Sequence, residues 1–135
     1  MTTMWYPQFI RFKTGRDQED WDKLDPRMKG LLMAVAAWQY TKWEKSLTIT
    51  CIVRTAEENA AVGGLERSAH VMVPEQRYAR AADLRNNDLT LYQQTERRVY
   101  IEDHWNHGAP MFHVIDHDSG HGAHTHLNLN FGYRL

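Results

Sequence analysis

The chain has 135 residues, a size typical of one domain, and its formal net charge at pH 7 is −1. Proteins that bind nucleic acid or anionic membranes usually carry a basic excess, so this balance argues against both partners. A single cysteine excludes an internal disulfide framework. The amino terminus lacks a basic start followed by an apolar stretch, and no run approaches the roughly 20 apolar residues of a membrane span. We therefore expect one domain over 1–135, made in a cytoplasm without a signal peptide and without membrane insertion.

The first half of the chain contains signals for one long helix and one strand. The pair Asp25 and Pro26 predicts the start of a helix, because aspartate can accept the first amide hydrogens and proline suits the first helical position. An apolar face follows and predicts a helix over about 26–45. The β-branched stretch 47–53 predicts a strand, in which Cys51 is expected to be buried as a small hydrophobe.

A second, shorter helix is predicted directly after this strand. Thr55 and Glu58 have the spacing of a capping box, and the glycines at 63–64 are suited to end the helix. Arg54 therefore lies where the strand ends. It is available there either to bind a ligand or to form a salt bridge with Glu57 or Glu58.

The second half of the chain is predicted to contain three strands and one helix. Strands are expected over 80–84, 111–116 and 124–131. Asp88 is expected to cap a helix that ends near Asn106. The buried side of that helix is expected to include Leu89, Tyr92, Val99 and Trp105. This order of elements favours an α+β fold with a small, mainly antiparallel sheet and helices packed on one side.

The last predicted strand carries candidate metal ligands. Successive strand residues point to opposite faces, so His124 and His126 share one polar face with Asn128, while the intervening leucines point to the core. Neutral imidazole and carboxylate oxygen both bind zinc, and a catalytic zinc site commonly uses three protein ligands and leaves one position for water. An H-x-H pair taken alone is equally compatible with an ordinary polar strand.

Several motifs between residues 47 and 130 occur in an order that resembles the zinc D-Ala-D-Ala-type peptidases, which share a fold with lysostaphin-type enzymes and the hedgehog signalling domain. The motifs are an arginine after a strand, an "NAAVGG" stretch, S-x-H, R-A-x-D and the final H-x-H. The residues that carry them are Arg54, Asn59 to Gly64, Ser68, His70, Arg80, Ala81, Asp83, His124 and His126. The ending "HDSGHGAHTHL" is also similar to compact phage-encoded members of the family.

The resemblance implies a zinc centre and a role for each matching residue. The zinc ligands it implies are His70, Asp83 and His126. It further implies that His124 lies beside the metal and stabilises the reacting carbonyl. Arg54 and Ser68 are the substrate-binding residues it implies, with Arg54 binding a carboxylate or carbonyl of the substrate.

The function that the resemblance implies is hydrolysis of an amide bond in the stem peptide of bacterial peptidoglycan. The enzyme would be a D-Ala-D-Ala carboxypeptidase or an L-Ala-D-Glu endopeptidase with one bound Zn²⁺. Together with the small size, the phage-like ending implies a monomeric phage lysis enzyme that acts at the cell wall after its release from the host cytoplasm.

Three departures from the family pattern affect these expectations. The strand reads "TCIVRT" where the family has a small Ser-Gly pair, so we expect a different substrate-binding turn. Twelve residues, 71–82, separate the first histidine ligand from the carboxylate, a longer stretch than in the family, and we expect them to form a loop over the site. Ala123 stands where the dipeptidases have a glutamate general base. The candidates that remain for this base are His124, His121 and Glu75. His113 and His121 are expected to support the ligands by hydrogen bonding.

The missing glutamate keeps other functions open. One is a zinc-binding interaction module of the same fold that does not hydrolyse its ligand. Another is a peptidase that acts on a virion protein rather than on the cell wall.

Overall fold

A computed structural model describes residues 8–63, 68–106, 111–118 and 122–130. The described chain has an α+β architecture, as predicted, with five strands and four helices. The strands are β1 (Ile10–Phe12), β2 (Leu47–Cys51), β3 (Ala81–Arg85), β4 (Phe112–Asp118) and β5 (Ala123–Leu129). The helices are α1 (Gly15–Asp20), α2 (Pro26–Trp43), α3 (Ala56–Ala61) and α4 (Leu91–Trp105), with a 3-10 turn at Trp21–Lys23.

The five strands form one sheet in the order β1-β2-β3-β5-β4. Only β1 and β2 run parallel, and every other neighbouring pair is antiparallel, so the predicted mainly antiparallel sheet is confirmed. Sequence analysis did not anticipate β1, α1 or the 3-10 turn. Within the described residues, no helix combines the length and apolar character that a membrane crossing requires.

Helix α2 begins and ends where its sequence directs. The side chain of Asp25 accepts a hydrogen bond from the amide of Arg27, Pro26 occupies the first turn, and Glu44 ends the helix in a left-handed conformation. Buried α2 residues pack with apolar residues of the strands and α4. This core includes Leu31, Leu32 and Val35 of α2, Ile49 of β2, Leu84 of β3, Ile101 of α4 and Leu127 of β5.

Helix α3 confirms the predicted capping box. The Thr55 hydroxyl accepts from the amide of Glu58, and the Glu58 carboxylate accepts from the amide of Thr55. Gly63 follows with a φ of 71°, the left-handed conformation in which glycine has the lowest energy cost. Gly64 lies outside the described residues.

Two expectations about α4 were wrong. Its N-cap is Thr90, whose hydroxyl accepts from the amide of Gln93, and not Asp88. Tyr92 and Val99 were expected on the buried side, but both are exposed. The residues of α4 that are buried are instead Arg97 and Ile101. Because Arg97 is charged, the apolar pattern of the sequence could not identify it as a buried residue.

The Arg97 guanidinium links α4 to three other parts of the fold. It donates to Gln39 Oε1 on α2 at 3.0 Å, to Asn86 Oδ1 after β3, and to Thr125 Oγ1 on β5 at 3.0 Å. Burial lowers the pKa of Arg97 to about 10, which leaves it charged at neutral pH. Because Thr125 lies between His124 and His126, this network also fixes the strand that carries both histidines.

The segment after His70 does not form the expected loop over the site. Residues 71–79 are absent from the lining of the cleft described below, although all of them are described. Met72 instead packs against the core and Ala79 forms a bridge with Leu24, so the segment runs along the edge of the core. Apolar contacts determine this path, and the motifs that resemble the peptidase family give no information about them.

We predict that Arg97→Ala destabilises the fold by about 3 kcal/mol or more, because it leaves buried acceptors without a donor. Equilibrium urea unfolding of the metal-free protein measures this loss. Arg77→Ala, which removes an exposed arginine, is the matched control and should change the stability by less than about 1 kcal/mol. Equal stability of Arg97→Ala and the wild type would contradict the role of the network.

Candidate metal centre

The candidate metal centre lies on the sheet face opposite the core, where side chains from neighbouring strands stand side by side. Asp83 on β3 pairs in register with His126 on β5 and with Cys51 on β2. One step along, Arg85 pairs with His124, and His124 pairs with His117 on β4. Directly paired residues of antiparallel strands point to the same face, so the register alone brings these six polar side chains together.

His70 is held in the centre by the end of β2. It is 1% exposed, and its Nδ1 lies 2.9 Å from the carbonyl oxygen of Ile52. A carbonyl only accepts, so Nδ1 carries the proton and donates this hydrogen bond. The other ring nitrogen, Nε2, then has a free lone pair and lies 3.0 Å from Asp83 Oδ1.

His126 is oriented in the same way by a side-chain amide. Its Nε2 lies 2.8 Å from Asn128 Oδ1, while its Nδ1 lies 3.0 Å from Asp83 Oδ1. The Asn128 amide is itself oriented, because its Nδ2 donates to the carbonyl of Leu129 at 3.0 Å. Oδ1 of Asn128 therefore accepts from Nε2 of His126, and the lone pair of Nδ1 faces the carboxylate.

His124 repeats the arrangement at the rim of the centre. Its Nδ1 donates to the carbonyl of Gly122 at 3.1 Å, and its Nε2 lies 3.8 Å from Asp83 Oδ2. The Asp83 carboxylate is thus approached by three imidazoles, each of which has its other ring nitrogen engaged with an oxygen acceptor.

Facing acceptors of this kind require a cation between them. If His70 and His126 are neutral, their lone pairs point at a carboxylate oxygen, which is repulsive. Two extra protons, one on each ring, relieve this contact, and so does one divalent metal ion that carries the same two positive charges. Ligand atoms of a tetrahedral zinc site lie about 3.3 Å apart, close to the 3.0 Å from Asp83 Oδ1 to each ring nitrogen. At this spacing Asp83 Oδ1 and either ring nitrogen fit one divalent metal, and the set of three whose ligand atoms all lie within 4.8 Å of one another is Cys51, His70 and Asp83.

The electrostatics of Asp83 agree with its role as the anionic centre. Burial by itself would raise the pKa of the Asp83 carboxyl, but the hydrogen bonds and charge interactions with His126 and His70 outweigh it and hold this pKa well below its usual range. Asp83 is therefore ionised at neutral pH and ready to bind a cation.

Cys51 also lies at the centre, which the sequence did not indicate. Ligand atoms of Cys51, His70 and Asp83 all lie within 4.8 Å of one another, a spacing that could hold a metal ion. The strand irregularity between Ile49 and Cys51 turns the thiol away from the core face. Burial, aided by the negative charge of Asp83, raises the pKa of Cys51 to about 12, so without a metal its sulfur is a neutral thiol.

The centre lies at the floor of an open cleft of about 1180 Å³. Arg54 and Ser68 both line this cleft. The predicted alternative for Arg54, a salt bridge with Glu57 or Glu58, is not formed: Glu58 pairs with Arg16, and within the described residues Arg54 has no ion pair. The Ser68 hydroxyl accepts from the amide of His70 at 3.3 Å, so it also positions a candidate ligand.

The remaining predicted site residues have different outcomes. His113 lines the cleft with its ring centroid 6.3 Å from that of His126, but the described residues give it no hydrogen bond to a candidate ligand. Glu75 is exposed and does not line the cleft, which removes it as a candidate base. His121 lies outside the described residues.

His117 is a site residue that sequence analysis did not select. Its ring packs edge-on against His124 with the centroids 4.4 Å apart. Partial burial and the neighbouring His124 lower the pKa of His117, which favours the neutral form of this imidazole. The alternation of β4 contained the signal, because His113 and His117 share a face with Ile115 between them.

Comparisons of the chain with family models, with curated proteins and with solved structures give no match.

We predict that the purified protein binds one equivalent of Zn²⁺, and that His126→Ala and Asp83→Ala each lose it, because either change removes a central donor. Elemental analysis after dialysis measures the metal content. His104→Ala, a change to an exposed histidine on α4, is the control and should retain the metal. Cys51→Ser should also retain it, and loss of zinc from this variant would instead favour the set of Cys51, His70 and Asp83.

We also predict that Asn128→Ala weakens zinc binding about 10- to 100-fold, because His126 loses the acceptor that orients its ring. Competition with a chromophoric chelator measures the affinity. Asn87→Ala removes an asparagine that lines the same cleft without contacting a candidate ligand, and should have wild-type affinity. If both variants bind zinc equally well, Asn128 does not orient the ligand.

Proposed function

We propose that the chain is a zinc-dependent hydrolase of hedgehog/DD-peptidase-like fold that cleaves an amide bond in the stem peptide of bacterial peptidoglycan. The observation that carries this proposal is the convergence of three imidazole nitrogens on Asp83 at the floor of an open cleft. The order of motifs along the chain, which resembles the zinc D-Ala-D-Ala-type peptidases, supports the choice of reaction and substrate.

The donor set supports zinc as the metal. Imidazole nitrogens and one carboxylate are the donors of many catalytic zinc sites, whereas magnesium and calcium prefer oxygen ligands throughout. In this assignment the ligands are His70, Asp83 and His126. When bound, zinc would polarise the scissile carbonyl and make a water molecule acidic enough to attack it.

His124 is the group best suited to move the proton. Its Nδ1 donates to the carbonyl of Gly122, so Nε2 is the ring nitrogen available to accept a proton, and the residue lines the cleft. In the proposed mechanism Nε2 takes a proton from the attacking water and then returns it to the leaving nitrogen of the amide. The neighbouring His117 packs against this ring and supports its orientation. In this mechanism His124 replaces the glutamate general base of the family, whose position is occupied here by Ala123.

Arg54 is proposed to bind the substrate. Its side chain lines the cleft without a carboxylate partner among the described residues, and its Nε is buried without a hydrogen-bond acceptor. A guanidinium in this state is suited to bind a carboxylate or carbonyl of a peptide. As a phage lysis enzyme, the protein would meet this peptide in the cell wall after release from the host cytoplasm.

A non-catalytic zinc-binding module is the second candidate function, and one observation favours it. Asp83 is the only carboxylate among the described residues that line the cleft, so no second carboxylate there can act as a general base. Hydrolysis then depends on an imidazole as the base, which the following experiment tests.

We predict that the zinc-loaded protein releases new amino termini from purified sacculi, and that His124→Ala keeps its zinc but loses at least about 100-fold in rate, as expected for a lost general base. His126→Ala should lose both zinc and activity. Labelling of the released amino groups measures the rate, with His104→Ala as the active control.

Zinc binding without release of amino termini by the wild type would support the module instead. Full activity of His124→Ala would assign the base to another residue.

A further inference from the structure

Two cationic side chains lie at one end of the cleft and have no part in the proposed reaction. Arg85 is the last residue of β3, two positions after Asp83. Lys13 follows β1, and its amide donates to the carbonyl of Ile49 at 2.9 Å. Both side chains line the same cleft as the candidate metal centre.

The sheet register separates this pair from Arg54. Strand β2 is antiparallel to β3 and ends at Cys51, which pairs with Asp83, and the amide of Arg54 beyond it donates to the carbonyl of His70 at 3.0 Å. Arg85 lies in the opposite direction from Asp83, about 7 Å away along the strand. Lys13 follows Phe12, which pairs with Ile49, so it is level with Thr50. Ile49 pairs with Leu84 and Cys51 with Asp83, so Lys13 lies on the Arg85 side of Cys51. The candidate metal centre therefore lies between Arg54 and the other two cations.

The pairing of charges also distinguishes these two residues. Elsewhere in the described chain, cations such as Arg16, Arg27 and Arg98 each form an ion pair with a carboxylate. Within the same described residues, Lys13 and Arg85 form none. Unpaired cations that line one cleft concentrate positive potential there and attract anionic ligands.

We propose that Lys13 and Arg85 form a second anion subsite, which binds a carboxylate of the substrate on the opposite side of the metal centre from the carboxylate bound by Arg54. The substrate class is then a peptide with a carboxylate on each side of the scissile amide. The position of the scissile amide between the two carboxylates rests on the proposed function. Binding of the two carboxylates can be measured without a metal and without cleavage.

A set of four synthetic peptides tests the subsite. The parent is L-Ala-γ-D-Glu-L-Lys-D-Ala-D-Ala, in which the free α-carboxylate of D-Glu and the terminal carboxylate lie on opposite sides of the D-Ala-D-Ala amide. The other three peptides replace the α-carboxylate of D-Glu by an amide, the terminal carboxylate by an amide, or both. Calorimetric titration of the metal-free protein measures each Kd without hydrolysis. For the wild type, loss of either carboxylate should raise Kd about tenfold, as expected for a charge-assisted contact.

The variants assign each carboxylate to its subsite. The double variant Lys13→Gln with Arg85→Gln should lose sensitivity to one carboxylate and keep sensitivity to the other, and Arg54→Gln should show the reverse pattern. Arg85→Lys should retain part of the preference. Arg11→Gln removes an exposed cation that does not line the cleft and should behave as the wild type. Thermal melting of every variant verifies that it is folded.

Two results would overturn the subsite: a wild type whose Kd depends on fewer than two carboxylates, or a double variant that keeps both preferences. Cleavage of the parent peptide by the zinc-loaded protein is measured separately. Selective binding without cleavage leaves the subsite in place and contradicts the hydrolase. Cleavage without charge preference contradicts the subsite and supports the hydrolase.

Discussion

One carboxylate oxygen, Oδ1 of Asp83, faces two imidazole nitrogens whose rings already donate their other N–H groups elsewhere. This contact is stable only with positive charge between the groups, supplied by protons or by a metal ion. The rest of the site follows from it, because the carbonyl of Ile52 and the amide of Asn128 fix which nitrogen of each ring is available. These orienting contacts make the arrangement more specific than a cluster of histidines.

The fold supports this contact from the opposite face of the sheet. Antiparallel register sets Asp83 beside His126 and Arg85 beside His124. Behind β5, the buried Arg97 binds Thr125 and Asn86, so the strands that carry the site are also joined by a polar network in the interior. A buried arginine at this place contributes less to hydrophobic stability than an apolar residue would, but it fixes the relative positions of α2, α4, β3 and β5.

Local patterns in the sequence predicted part of the site and failed where geometry depends on distant contacts. Period-2 alternation correctly placed His124 and His126 on one face, because β5 is a regular strand. The resemblance to a peptidase family selected His70 and Asp83, which the fold brings together from separate segments. Alternation failed for Cys51, since an irregularity of β2 reverses the face of that residue.

The same limit applies to the long helix and to the cationic end of the cleft. The inward face of α4 contains Arg97, and no rule of apolar periodicity selects a charged residue for the interior. Lys13 and Arg85 are far apart in sequence, and only the pairing of β1, β2 and β3 brings them to one cleft. Predictions from sequence therefore identified α2 to α4 and β2 to β5 but not β1 or α1, and were weak wherever a bulge, a buried charge or strand order decides the neighbours.

X-ray absorption at the zinc edge tests the metal centre most directly. With zinc bound by His70, Asp83 and His126, the spectrum should show only nitrogen and oxygen neighbours at about 2.0–2.2 Å, with the multiple scattering of imidazole. A sulfur neighbour at about 2.3 Å would contradict this ligand set and assign Cys51 to the metal. Failure of the protein to retain any zinc would contradict the metal centre itself.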